Sequence, residues 1–243
     1  MPSPEELAVL AKNLDKMHFG PDDTFRFKCY GCGKCCKNRD DILLNAQDLF
    51  RLARHLKLTP KQVVERHGET YIGSQSGIPI VRLKPVGKNQ ICPLLKDNRC
   101  SVHASKPNVC ALYPLGRYQK ASKTDPGVPA ESGYFVWPVT CGGHKLTTVR
   151  AHLESFGIPL EDEFHAKWNE ILIFLVGFCG EALSKGVSER AMQILWGIIL
   201  NQIYFDYDVE QDFLPQFVAH TTKLRDALEG IRAKAFPLLN QNG

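Results

Sequence analysis

Long apolar runs are missing from these 243 residues. The longest, Ile171 to Gly180, sits between Glu170 and Glu181 and is about half the roughly 20 residues that a membrane-spanning helix needs. No membrane span is therefore expected. Also missing are a G-x-G-x-x-G, a P-loop, a G-x-S-x-G and an H-E-x-x-H, so dinucleotide binding, triphosphate chemistry, serine hydrolysis and zincin proteolysis have no motif to carry them. Internal repeats are absent too. The opening stretch, MPSPEELAVLAKNLDK, holds acidic residues and no basic segment leading into an apolar one, which reads against a secretory signal and for the cytoplasm. Basic residues form no long face interleaved with aromatics, so nucleic acid is not an expected partner. With 44% hydrophobic and 23% charged residues, the composition is that of an ordinary globular chain, long enough for one large domain or two small ones.

What the chain has in excess is cysteine at close spacing. Four of its nine cysteines, Cys29, Cys32, Cys35 and Cys36, fall in the stretch FKCYGCGKCCKNR from Phe27 to Arg39. A buried free cysteine is a small hydrophobe and needs no company, whereas these are surrounded by Gly31, Gly33, Lys28, Lys34 and Lys37. That is the composition of a polar loop. Thiols three residues apart in a turn can face one ion or cluster, and the glycines let backbone N–H groups come close to sulfur. In a reducing compartment an odd number of cysteines with one adjacent pair reads as metal ligation and not as a disulfide framework.

Cys29, Cys32 and Cys35 reproduce the first three positions of the bacterial ferredoxin run C-x2-C-x2-C. The fourth position departs from it, because Cys36 follows at once and then Lys37-Asn38-Arg39. A fourth ligand has to come from elsewhere, and Cys92, followed by Pro93, is a candidate. Downstream, ICPLLKDNRCSVHASKPNVCALYP holds Cys92, Cys100, His103 and Cys110, and Cys141 follows in TCGGH. None of these makes a zinc-finger pair of C-x2-C units. The spacing predicts a composite site, in which Asp97-Asn98 turns residues 91–95 back on 99–102 and carries Cys92 beside Cys100. His103 reads equally as a ligand or as a residue that orients one. Cys141 reads as a ligand and Cys179, inside an apolar helix, as packing. Asp206 and Asp208 read as a polar turn, since two carboxylates alone make a weak metal site. Tyr30 and Tyr113 flank proposed ligands and are expected to shield them from water.

These two stretches resemble the cysteine-cluster family called CxxCxxCC, a zinc- or iron-chelating domain, over roughly residues 25–145. The resemblance rests on Cys29, Cys32, Cys35 and Cys36, then Cys92-Pro93, Cys100, His103, Pro107, Cys110 and Pro114. The family often has Arg-Pro before the third downstream cysteine and an arginine after it; here stand Lys106-Pro107 and Ala111. What the resemblance implies is metal binding, with a distant analogy to the cysteine cluster of flagellin lysine methylases.

Three uses of the thiols follow: an iron-sulfur protein, with a 4Fe-4S cluster on Cys29, Cys32, Cys35 and Cys92; a zinc-stabilised structural or interaction module; and chelation and transfer of iron or zinc. Eight clustered thiols, at Cys29, Cys32, Cys35, Cys36, Cys92, Cys100, Cys110 and Cys141, exceed the four that one tetrahedral zinc takes, so zinc alone would need two sites or idle cysteines, and the ferredoxin-like spacing puts the iron-sulfur reading first. If the chain is an enzyme, its protein or small-molecule substrate is expected near Cys36 and His103.

The expected fold is α+β, with a cysteine-rich domain of short strands and helices over 1–145, including an N-terminal helix at 4–17, and a helical region over 146–243. Asn45 and Thr59-Pro60 start helices at 46–56 and 60–65, a pair expected to pack against the cysteine loop and order it. Strands are read at 42–44, 78–84, 90–95 and 134–139, and 119–132 as a surface loop. Helices are read from Thr147 or Thr148 to 156, over 161–184, from Ser188 to about 204, and from Asp212 onward, the last with a stripe of Leu214, Phe217, Val218, Thr221, Leu224, Leu228 and Ile231.

Overall fold

Asn45 begins the first described helix by accepting from the Asp48 amide at 2.7 Å, while the Asp48 carboxylate accepts from the Asn45 amide at 3.3 Å. Thr59 and Gln62 repeat this reciprocal arrangement with Pro60 in the first turn, so each helix start satisfies donors that would otherwise have no partner. The computed structural model describes residues 18–121, 129–137, 141–160 and 163–239. In chain order the strands are β1 Thr24–Lys28, β2 Leu43–Leu44, β3 Gly68–Ile72, β4 Pro79–Leu83, β5 Leu95–Lys96, β6 Arg99–Cys100, β7 Leu115–Ala121, β8 Pro129–Val136 and β9 Gly143–Thr148. The helices are α1 Ala46–Leu56, α2 Pro60–His67, α3 Asn108–Leu112, α4 Val149–Glu154, α5 Glu163–Ser184, α6 Glu189–Leu200 and α7 Phe213–Leu239. The fold is α+β, with small sheets and a helical C-terminal region. Among the described residues no helix is long and apolar enough to cross a membrane.

Two compact units share the chain: residues 1–43 with 83–161, and residues 44–82 with 162–243. This division does not follow the linear boundary expected at residue 145. The first unit is built on two antiparallel pairings. β1 pairs with β9, Phe25 opposite Thr147 and Lys28 opposite Gly143, and β7 pairs with β8. Alternation puts Phe25 and Phe27 of β1 on one buried face, where they meet Ala111, Leu115, Tyr134, Val149, Leu153 and Ile158. The β7–β8 hairpin corrects the expected loop at 119–132: residues 119–121 and 129–132 are strand, and 122–128 lie outside the described residues. The strand expected at 134–139 runs instead from Pro129 to Val136, with 138–140 outside them. The strand expected at 90–95 is reduced to an isolated bridge between Val86 and Ile91 ahead of β5. The helix expected at 4–17 also lies outside the described residues.

The second unit holds α1 and α2 together with the C-terminal helices. Arg54 of α1 donates to the carbonyls of Val209 and Gln211, both at 2.6 Å, which ties that helix to the turn before α7. The helix pair therefore belongs to the helical unit, contrary to the expectation that it orders the cysteine loop. Phe164, Phe178, Phe217 and Leu228 are wholly buried there, with Phe164 edge-on to Phe217 at 5.1 Å. The buried seam of α7 is Phe213, Phe217, Leu224, Leu228 and Phe236, and Ile231 is exposed. Cys179 is 0% exposed within α5, and Asp208 accepts from the Glu210 amide and the Gln211 side chain. Both behave as a packing residue and a turn residue should.

Candidate metal centre

Gly31 and Gly33 stand at φ 66° and 68°, the left-handed region that glycine enters most readily. They let the chain turn twice within the cysteine loop before a short 3-10 turn at Lys34–Cys36. At Gly33 the turn is also crowded: a Cβ there would stand 2.7 Å from the Asn98 carbonyl oxygen. Asp97 and Asn98, at φ 50° and 56°, form the left-handed two-residue turn that joins β5 to β6, and Leu95 pairs with Cys100. The hairpin predicted for this region is present, and the loop rests on it. Lys37 Nζ adds a bond to Asn98 Oδ1 at 3.0 Å.

A second seam fixes the other side of the loop. The Asn38, Arg39 and Cys92 amides donate to the Asn89, Gln90 and Cys36 carbonyls at 2.9, 3.2 and 2.8 Å. Cys92 is thereby held beside the C-x2-C-x2-C-C run. Pro107 leads into α3, which carries Cys110, and Tyr113 after it reaches Cys141 Sγ with its hydroxyl at 3.5 Å.

These segments enclose a cavity of about 840 Å³, open mouth included, within the first unit. Cys29, Cys32, Cys35 and Cys36 line it together with Cys92, Cys100, Cys110 and Cys141. All eight clustered cysteines thus share one cavity wall, and Cys179 does not. His103, Arg39, Lys106, Tyr30, Tyr113 and Phe156 line it as well. Of the basic residues read from the loop, Arg39 alone faces the cavity; Lys28 lies over the Tyr30 ring at 5.7 Å and Lys37 bonds Asn98.

The sulfurs are supplied with backbone donors in a repeated pattern. The Gly31 amide donates to Cys29 Sγ at 3.4 Å, and the Leu94 and Val102 amides donate to the thiols of Cys92 and Cys100. Each donor sits two residues after its cysteine. Such bonds favour thiolate over thiol, which is the form that binds metal. Burial acts against them and wins at Cys92 and Cys100, whose thiols stay above their ordinary range. Burial, and to a lesser extent the neighbouring Cys92, Cys35 and Cys100, push Cys110 well up, with Arg39 opposing. At the adjacent pair the Cys36 thiol donates to Cys35, so Cys35 is lowered to about 6 while Cys36 keeps its proton. Burial, then the Lys106 charge, lowers His103 and favours the neutral imidazole.

The donor set fits a soft metal. Eight thiols and one imidazole, without a carboxylate in the cavity wall, suit zinc or iron-sulfur and not magnesium or calcium. Among the described residues, however, no three cysteine, histidine or carboxylate groups are gathered as ligands of a single ion.

Sequence reasoning passed over Lys106 and Phe156. Lys106 is only 8% exposed and lies over the Phe156 ring at 4.9 Å. Its signal in the sequence is the Lys-Pro step just before Cys110, which read as a minor departure from a family pattern.

Comparison with known proteins supports metal binding. Residues 28–135 match the family model CxxCxxCC, described as "Putative zinc- or iron-chelating domain". The chain is 30% identical over 88 residues to an uncharacterised protein of Methanocaldococcus jannaschii, a match covering 36% of this chain. It spans 44% of that relative's length. No solved structure matches.

Proposed function

We propose that this metal-binding domain holds an iron-sulfur cluster, with Cys29, Cys32, Cys35 and Cys92 as its ligands. One observation carries the reading: eight thiols line a single cavity, twice the four that one tetrahedral zinc takes. A tetrahedral zinc with bonds of about 2.3 Å draws its four sulfurs to within about 4 Å of one another. A cluster brings its own irons and sulfides and accepts thiolates set farther apart. The ferredoxin spacing of the first three cysteines and the Cys36–Cys92 seam support the choice of four.

The remaining residues have roles that follow from their chemistry. Backbone amides two residues after Cys29, Cys92 and Cys100 hold those sulfurs in orientation and favour ionisation. Tyr30 and Tyr113 narrow the access of water to the cavity. Such a cluster, when bound, supplies electron transfer or a Lewis-acidic iron. A protein or small molecule would reach it from the open side of the cavity, and a reducing compartment such as the cytoplasm would keep the thiols free to bind.

The test is iron and acid-labile sulfide content, with an absorption spectrum, on protein purified without oxygen. About four irons and four sulfides per chain with a broad band near roughly 400 nm are expected. Stoichiometric zinc without sulfide would overturn the cluster reading and leave a zinc-stabilised module in its place.

A further inference from the structure

A buried ammonium group is costly unless an opposite charge or a set of acceptors replaces its water. Lys106 lines the cavity with its stem largely covered, the residue being 8% exposed. Its ammonium lies over the face of Phe156 at 4.9 Å, and no carboxylate pairs with it among the described residues. A cation over a ring recovers only part of the lost hydration. Arg39, the other cation of the cavity, differs: Asp41 pairs with it. Lys106 therefore brings a cation without an ion-pair partner among the described residues to a cavity lined by eight thiols.

We propose that Lys106 is the counter-charge of the metal-thiolate centre, a positioning residue whose ammonium offsets the negative charge left when several thiolates bind one centre. The inference rests on the metal-binding reading above and adds to it a residue that ligates nothing. Four thiolates around a divalent ion, or around a cluster, leave net negative charge in a wall that is otherwise apolar. A fixed cation inside that wall removes the penalty without occupying a ligand position. Pro107, next in the chain, restricts the backbone of Lys106 to an extended form (ψ 140°), and α3 begins directly afterwards with Cys110 on it. The same step of chain thus sets both the charge and a thiol.

The experiment is a cobalt(II) titration of the reduced full-length chain and of K106M, K106R and F156L, read by the sulfur-to-cobalt charge-transfer band against a competing chelator. K106M keeps the length of the stem and removes the charge, so its affinity for cobalt is expected to fall about tenfold to a hundredfold. K106R keeps the charge and is expected to stay within about threefold of the parent. F156L removes the ring and leaves the charge, so it too should stay close to the parent. An unchanged affinity in K106M would overturn the proposal and leave Lys106 for an anionic substrate. A tenfold loss in F156L would overturn it as well, by making packing the cause, and this holds even if K106M does not fold. Absence of a charge-transfer band in the parent is a different failure, that of the metal-binding reading itself.

Discussion

The Cys92 amide donates to the Cys36 carbonyl at 2.8 Å, joining the loop that holds four thiols to the segment that supplies the next three. With Asn38 and Arg39 bonded to Asn89 and Gln90 in the same seam, the backbone and not a disulfide brings Cys92 to the cavity. A side chain at 92 can therefore change without undoing the seam. If the centre is the iron-sulfur cluster proposed above, Cys92→Ser is expected to lose most of the iron that the parent holds while its far-ultraviolet circular dichroism matches the parent. Cys179→Ala, which removes a thiol from the core of α5, should keep the full iron content. Iron assays on the three proteins purified side by side decide this, and full iron in Cys92→Ser would remove Cys92 from the ligand set.

Gly33 is the point where the loop meets the β5–β6 turn. Its φ of 68° disfavours any side chain, and a Cβ would collide with backbone, the Asn98 carbonyl at 2.7 Å, which has no rotamer to yield. Gly33→Ala should cost about 1–3 kcal/mol and lower both the denaturant midpoint and the metal content. Gly31 has a similar φ of 66° and open space around it, so Gly31→Ala is expected to cost less. Equal midpoints for the two variants would mean that the close approach to Asn98 does not matter.

Much of this site could be read from spacing because metal thiols must be close in space, and short loops achieve that through short intervals in sequence. Cys29 to Cys36 and the Asp97-Asn98 turn are of that kind. Lys106 was not legible, since burial depends on Phe156, which arrives from far along the chain. Nor was the place of α1 and α2: their amphipathic pattern and caps specify helices, while the partner is set by Arg54 finding carbonyls at 209 and 211. The β7–β8 pairing was hidden because 119–132 carries Gly, Pro, Ser, Lys and Asp with few apolar residues, which reads as loop, and only the pairing with the apolar inner half, Leu115 opposite Val136, makes its ends strand. Ile231 fits the 3.6-residue stripe of α7 and is exposed all the same, because a stripe predicts a face and not how far its neighbours cover it.

His152 gives the first unit a pH dependence of its own. Its Nε2 lies 3.2 Å from the Leu112 carbonyl oxygen, and the rings of Phe25, Phe27 and Phe156 stand edge-on to it at 5.5, 5.9 and 5.4 Å. Burial, then the nearby Lys106 charge, holds the imidazole below its ordinary value, although the carbonyls of 111–113 pull the other way. The unfolded chain, titrating near 6.5, therefore binds more protons than the folded one. Stability is present above about pH 6.5 and is lost as pH falls through the lowered folded value. Urea midpoints measured from about pH 7 to 5 should fall in the parent and fall less in His152→Phe; parallel curves would assign the loss to other groups.

Cys35 and Cys36 make the sharpest contrast within the loop. Neighbouring residues cannot easily turn both side chains to one centre, and here the Cys36 thiol donates to the Cys35 sulfur. On the cluster reading proposed above, Cys35 is the ligand and Cys36 its hydrogen-bond donor. Cys36→Ser retains a donor at the same position, so it should keep its metal, with a hydroxyl in place of a thiol beside the ligand. Cys35→Ser replaces the acceptor with an oxygen that a soft metal binds poorly, and its metal content should fall to a small fraction of the parent's. Metal analysis of both variants, prepared in parallel without oxygen, checks the assignment. Loss in Cys36→Ser with retention in Cys35→Ser would exchange the two roles and move the open side of the centre from Cys36 to Cys35.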